Sequence, residues 1–246
     1  MKRVLLCVLC LALLLSGCTQ TGASPSTATF AGLTIEEYKL SKDSEGGLWE
    51  AGKVLVDHPE ISEKRKQWRE TPWPFTAGTA SETGLMLLHS PVRVGDSVVY
   101  ARLNSDFEVE IVRANQVAYV YRNPRTKQMA VFEAMVQGLT DWDGKWVLET
   151  FEEEVIVEGQ SLNEQLGYPE MFEFHIIAGK PFFFFRQNGK VRISYDGQVL
   201  PVEYDKVHHY GCCDSVAYNP QASDRMISFF ALRGDQWYFV DIGNYS

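Results

Sequence analysis

Met171 to Gly197 reads MFEFHIIAGKPFFFFRQNGKVRISYDG, and the punctuation of this stretch decides the fold class. Phe172, Phe174 and Ile176 alternate with Glu173 and His175, and Val191, Ile193 and Tyr195 alternate with Arg192 and Ser194, the period-2 pattern of a strand with one buried face. Between them Phe182 to Phe185 form an unbroken apolar run, which suits a central strand covered on both faces. Asn188-Gly189 is the dipeptide of a type I′ hairpin, whose two central residues both need φ > 0. Three consecutive antiparallel strands follow.

The same signals extend in both directions. Strands are expected at Leu85–His89, Ser97–Leu103, Phe107–Arg113, Gln116–Tyr121, Met129–Val136, Lys145–Phe151 and Val155–Glu158. Gly95-Asp96, Asn104-Ser105, Asn123-Pro124 and Asp143-Gly144 punctuate the gaps. No useful length of helix-period sequence interrupts them, so the region 76–246 is predicted to be an all-β antiparallel domain rather than α/β. A 45% hydrophobic composition over 246 residues is enough for a sizeable core and excludes overall disorder.

The segment 30–75 reads differently. Thr34-Ile35-Glu36-Glu37 has the S/T-x-x-E form of a capping box and predicts a short helix to about Leu40. Leu48, Trp49, Leu55 and Val56 offer a second helical face, and Ser62 a cap for Glu63 to Glu70, before Thr71-Pro72-Trp73-Pro74 stops any helix. The expectation is an irregular, partly helical segment preceding the β domain. Before it, 18–29 is rich in Ser, Thr, Gly and Ala, has no large apolar residue until Phe30, and is predicted to be a flexible tether.

The first 17 residues read as a signal peptide: Lys2 and Arg3, then the apolar run Val4 to Leu15, then Leu15-Ser16-Gly17-Cys18. The run is too short for a spanning helix, which takes about 20 residues. Leu15-Ser16-Gly17-Cys18 resembles the lipobox of bacterial lipoproteins. The resemblance implies cleavage before Cys18, acylation there by a diacylglyceryl group and palmitate, and a place in the bacterial cell envelope, lipid-anchored on the extracytoplasmic side of a membrane. Two or three acyl chains, at about 0.8 kcal/mol per buried methylene, anchor stably where one does not. Loss of Lys2 and Arg3 leaves 21 basic residues against 32 acidic ones, a formal charge of −11. Such a surface speaks against nucleic acid as a partner.

An internal repeat underlies the strands. Gly179-Lys180-Pro181-Phe182-Phe183-Phe184-Phe185 matches Gly234-Asp235-Gln236-Trp237-Tyr238-Phe239-Val240 and, more loosely, Gly144-Lys145-Trp146-Val147-Leu148. Val157-Glu158-Gly159-Gln160 returns as Tyr195-Asp196-Gly197-Gln198. A hairpin ending in aromatics, then a strand ending in acid-Gly-Gln, resembles the blade pattern of bacterial TolB-type and related β-propellers, and implies an antiparallel meander with propeller-like blades. A curled open sheet or a two-sheet meander satisfies the same alternation.

The loop with the most reactive residues is His208-His209-Tyr210-Gly211-Cys212-Cys213-Asp214. His208, His209, Cys212 and Cys213 are the residue types that hold soft metals, but neighbours on extended backbone point to opposite sides, and C-x2-C spacing is missing, so no metal is expected. A vicinal disulfide between Cys212 and Cys213 suits an oxidising compartment, strained because adjacent Cα atoms lie about 3.8 Å apart. It would act as a loop clip or a redox switch. Cys212 with His209 as nucleophile and base is a third reading. Asp141-Trp142-Asp143-Gly144 begins like a calcium loop but continues with Lys145, so a hairpin turn is expected. Glu152-Glu153-Glu154, with Glu149 and Glu158 nearby, reads as a solvated strand end.

No G-x-S-x-G, H-E-x-x-H or P-loop is present. The loop Tyr210-Gly211-Cys212-Cys213 before a final aromatic strand also resembles that of other bacterial lipoproteins, a resemblance that implies no activity. The function expected is a lipid-anchored binding or structural module without catalysis and without a cofactor, with a protein or small-molecule ligand. A hydrolase with a pocket beside Cys212-Cys213, and a metal or redox sensor using His208, His209, Cys212 and Cys213, are the alternatives.

Overall fold

A computed structural model describes residues 25–40, 88–106, 108–122, 136–211 and 218–244. Among the described residues the fold is nearly all β, in four separate antiparallel sheets, with no closed barrel. Two N-terminal strands, β1 (Ser26–Phe30) and β2 (Leu33–Lys39), form a hairpin. The first sheet is a meander of β3 (Val92–Val94), β4 (Ser97–Leu103), β5 (Val109–Arg113) and β6 (Gln116–Tyr121). The second contains β7 (Val136–Trp142), β8 (Lys145–Thr150), β9 (Val155–Val157) and β10 (Gln160–Ser161), followed by the short helix α1 (Leu162–Leu166). The third contains β11 (Met171–Ile177), β12 (Lys180–Gln187), β13 (Lys190–Tyr195) and β14 (Gln198–Tyr204).

The closing sheet joins both ends of the described chain. After β15 (Lys206–Val207) and β16 (Gln221–Ala222), both paired to β17 (Met226–Arg233), comes β18 (Gln236–Gly243), and β18 pairs with β2. Strand order is therefore β1-β2-β18-β17-β15. One ion pair reinforces the join: Arg233 donates from Nη2 to Glu37 Oε1 at 2.6 Å and from Nη1 to Oε2 at 3.2 Å, between the rings of Tyr204 and Tyr238.

Neighbouring sheets stack face to face in chain order. Val99, Ala101 and Ile111 of the first sheet pack on Leu139, Trp146 and Leu148 of the second. Val147 and Val155 of the second meet Met171, Phe174, Phe183 and Phe185 of the third. Phe182, Phe184, Val191 and Ile193 of the third pack on Ile227, Phe229, Val240 and Ile242 of the closing sheet. The run Phe182 to Phe185 thus divides between two cores, Phe182 and Phe184 on one face and Phe183 and Phe185 on the other, all at most 5% exposed. Burying each phenylalanine stabilises the fold by about 2–3 kcal/mol.

Turn chemistry is as expected at Asn188-Gly189, where φ is 53° and 75°, and Asp143-Gly144 is a hairpin turn between β7 and β8. Val157-Glu158-Gly159-Gln160 and Tyr195-Asp196-Gly197-Gln198 both turn the third strand of a sheet into its fourth, and Lys145 and Lys180 both open a second strand. The match at Gly234 falls instead before β18, the third strand of the closing sheet counted from β15.

Three expectations are corrected. The tether 18–29 does not run to Thr29, because Ser26 to Thr29 already belong to β1. Thr34-Ile35-Glu36-Glu37 does not begin a helix, so the partly helical segment 30–75 starts with strand instead. Pairing of β2 with β1 on one side and β18 on the other satisfies its backbone, and Leu33 and Ile35 enter the core. Phe172 and Phe174 do not share a face, because the register shifts between Phe172 and His175. The rest of 30–75, and the expected strands Leu85–His89 and Met129–Val136 except at their last residues, lie outside the described residues.

Candidate functional site

Polar side chains converge where the second, third and closing sheets meet, and the strand pattern of β8 explains the first of them. Trp146 and Leu148 face the first sheet, so Val147 and Glu149 face the third. Glu149 is 4% exposed. An ionisable group buried there costs several kcal/mol unless it is met by donors. The donors come from an irregularity in β11. The register shift after Phe172 puts Glu173 at φ 54° and turns two successive amides onto one carboxyl: Glu173 N–H reaches Oε1 at 2.6 Å and Phe174 N–H reaches Oε2 at 2.8 Å. The Tyr210 hydroxyl donates to Oε1 as well. Gly138, the partner of Glu149 on β7, leaves the room: a Cβ there would stand 3.4 Å from Oε2.

Two carboxylate–histidine pairs flank this carboxyl. His175 Nε2 lies 3.0 Å from Glu173 Oε2. His209 Nε2 lies 3.0 Å from Glu153 Oε1, while its Nδ1 lies 2.9 Å from the Val207 carbonyl, and its ring stacks on Phe172 at 3.9 Å. Burial, and then the neighbouring Glu173, push the Glu149 carboxyl up to about 7 against the opposing pull of Tyr210, His175 and the Phe174 amide. Burial opposes charge on His209, but the bonds to Glu153 and Val207 outweigh it and its pKa rises. Burial likewise works against charge on Glu153, and the His209 bond reverses the balance and lowers its pKa. The Tyr210 hydroxyl is pushed well above the usual range, first by burial and then by Glu149.

The loop singled out by sequence is divided by this arrangement. His208 and His209 point to opposite sides of the chain, His208 against Tyr218 and His209 against Phe172. Among the described residues no group of three or more His, Cys, Asp or Glu is placed to hold a metal ion. Asn219 ties Gly211, accepting from its N–H at 2.6 Å and donating to its carbonyl at 2.9 Å. Cys212, Cys213 and Asp214 lie outside the described residues, as do Leu15, Ser16, Gly17 and Cys18. No helix of the described residues is long and apolar enough to cross a membrane.

Residues missed by sequence reasoning carry the cluster. Glu149 is buried rather than part of a solvated strand end, and the available signal was its place two residues after Val147 on a strand with Trp146 and Leu148 opposite. Glu173, Tyr210 and His175 had no such signal. Glu152 and Glu154 line an open groove of about 490 Å3 with Ser161, Asn163, Glu164 and Tyr168. No family model matches the chain, and no curated protein matches it.

Proposed function

We propose that the protein is a lipid-anchored binding or structural module on the extracytoplasmic side of a bacterial membrane, held there through Cys18 and working without catalysis. The observation that supports this reading best is that the base and the buried carboxyl of the polar cluster beside Gly211 are already bonded within it. Both ring nitrogens of His209 are engaged, by Glu153 and the Val207 carbonyl, so the base that a Cys212 nucleophile would need is already occupied. Both oxygens of Glu149 are likewise taken by backbone amides and Tyr210. Among the described residues, the groove lined by Glu154, Glu164 and Tyr168 is a surface open to a ligand.

Two measurements on the full-length protein expressed in a bacterium test the two halves of the proposal. Wild type is expected to sediment with membranes and to incorporate labelled palmitate, and Cys18→Ser to do neither. Membrane retention and labelling of the Cys18→Ser variant would remove the anchor from the proposal. Iodoacetamide should alkylate Cys212 at pH 6.5 no faster than it alkylates glutathione, or not at all if Cys212 is bridged to Cys213. Alkylation tens of times faster, slowed by His209→Gln, would mark an activated thiolate and replace this reading with the hydrolase.

A further inference from the structure

His209 joins three sheets through one ring. It follows β15 of the closing sheet, its Nε2 lies 3.0 Å from Glu153 Oε1 on the turn that leaves β8 of the second sheet, and its ring stacks on Phe172 of the third sheet at 3.9 Å. Its Nδ1 lies 2.9 Å from the Val207 carbonyl. Both ring nitrogens therefore face oxygens. A carbonyl only accepts, and so does an ionised carboxylate, so this row of carbonyl, imidazole and carboxylate needs two protons for its two hydrogen bonds. A neutral imidazole beside an ionised carboxylate carries one. Without the second proton, the lone pair of one nitrogen stands against an oxygen at bonding distance, between side chains only 13% and 23% exposed. The other titratable and charged groups around the ring are Tyr210, whose ring centre is 4.7 Å away, Glu173 on β11, and Glu170 and Arg186, which are bonded to each other behind Glu153. His208 is turned away against Tyr218. The backbone on both sides of the contact is also in a conformation that side chains seldom adopt, with φ of 58° at Glu153 and 51° at Tyr210, so docking depends on the bonds that offset that cost.

We propose that His209 is a proton-dependent clamp, which as an imidazolium ties the 207–211 segment to the second and third sheets and as a neutral ring lets that segment loosen. The proton leaves to solvent, and Glu153 loses its bonded cation. The Tyr210 hydroxyl donates to Glu149 whether or not that carboxyl is ionised, so this bond persists and the segment loosens rather than departs. The titration agrees with the proton count. Burial works against the imidazolium, but the bonds to Glu153 and Val207 outweigh it and raise the His209 pKa above its ordinary 6.5. Docking strength from His209 is therefore fully present below pH 6.5 and is lost as pH rises through the folded value. Glu153 sets the acid limit. Burial works against its charge, the His209 bond reverses the balance, and its contribution is present above its ordinary 4.5 and lost as pH falls through the lowered folded value. The clamp is thus complete between pH 4.5 and pH 6.5 and weakens on either side.

The clamp does not depend on the anchored-module reading, and two measurements on the full-length protein test it. Ring nitrogen NMR, with the His209 signals assigned by their absence in His209→Gln, should show both nitrogens protonated at pH 6 and a midpoint above 6.5. Amide hydrogen exchange, corrected for its intrinsic pH dependence, should follow His208, bonded to the Phe230 carbonyl at 3.1 Å, and Gly211, with β12 and β13 as internal references. In wild type the protection of these two amides should fall about tenfold from pH 6 to pH 8.5, as expected for loss of one charge-assisted hydrogen bond, while the references hold steady. Glu153→Gln is the decisive variant, because its side-chain amide supplies the missing proton: it donates to Nε2 of a neutral His209 while Nδ1 still donates to Val207. Its protection should hold steady to pH 8.5, and its His209 midpoint should lie below that of wild type. An ion pair with a merely structural role would instead lose protection in this variant at every pH. A wild-type midpoint at or below 6.5, wild-type protection independent of pH, or protection in Glu153→Gln that is low throughout or falls as in wild type would each overturn the clamp. If Glu153→Gln does not fold, the wild-type midpoint and exchange decide.

Discussion

Replacing Arg233 by methionine should weaken the join between the N-terminal hairpin and the rest of the fold. Arg233 forms a two-pronged bond with Glu37, donates from Nε to the Glu203 carbonyl at 3.1 Å, and lies 4.8 Å from the Tyr204 ring centre and 5.2 Å from that of Tyr238. It thereby ties β2, β17 and the third sheet together at one residue. Methionine keeps the stem and removes the charge, leaving Glu37, whose side chain is 12% exposed, with the Tyr204 hydroxyl at 2.6 Å and Ser26 at 3.4 Å. Breaking a fully buried pair costs about 3–5 kcal/mol and an exposed pair contributes about 0–1 kcal/mol. Arg233 is 37% exposed, so the expected loss lies between, at about 2–3 kcal/mol.

Urea unfolding of Arg233→Met, Glu37→Gln and the double variant, followed by tryptophan fluorescence, measures that loss and its coupling. The double variant should be less destabilised than the sum of the singles by about 1–2 kcal/mol. The sign with pH is also fixed. Burial raises the Glu37 pKa, but the bonds from Arg233 and Tyr204 outweigh it and hold the carboxyl below its ordinary 4.5. Its contribution is therefore present above pH 4.5 and disappears as pH falls through the folded value, and Arg233→Met should lose most of that acid-side dependence. A coupling below about 0.5 kcal/mol would refute this reasoning and assign the closure to the β2–β18 ladder alone.

Two further changes probe packing. Phe184→Ala removes a fully buried ring that stacks on Phe172 at 5.3 Å and meets Phe229 edge-on at 4.9 Å, and urea unfolding should show a loss of about 3–5 kcal/mol. Gly243→Ala places a methyl 2.5 Å from the Met226 Cβ and 3.2 Å from the Arg225 carbonyl, a backbone-level clash that should cost about 1–3 kcal/mol; adding Met226→Gly should recover part of it, and no recovery would mean that the carbonyl sets the limit.

What was legible in the sequence follows from where each structural cause sits in the chain. Ser97–Leu103 and Gln116–Tyr121 match β4 and β6 residue for residue, because alternation and turn dipeptides are local properties. The hairpin of β1 and β2 was not legible. Its turn is Ala31-Gly32, with φ of 51° and 82°, a weaker signal than Asn-Gly, and a capping-box pattern follows directly after it. The outcome is decided by β18, about 200 residues away, whose open edge satisfies the β2 backbone along its length, and no local window contains that edge.

The polar cluster was hidden by a different mechanism. Alternation assigns faces correctly only while register holds, and in β11 one extra residue changes it. With strict alternation Glu173 and His175 would share one face and Phe172 and Phe174 the other, and neither amide of Glu173 or Phe174 would be turned toward Glu149. The bulge separates the two phenylalanines between two cores, turns two amides onto one carboxyl, and stays in place because that carboxyl satisfies both of them. Cause and compensation lie 24 residues apart on different sheets. Glu149 is thus visible in sequence only as an acid on an otherwise apolar strand, and such an acid implies donors from elsewhere before it implies chemistry.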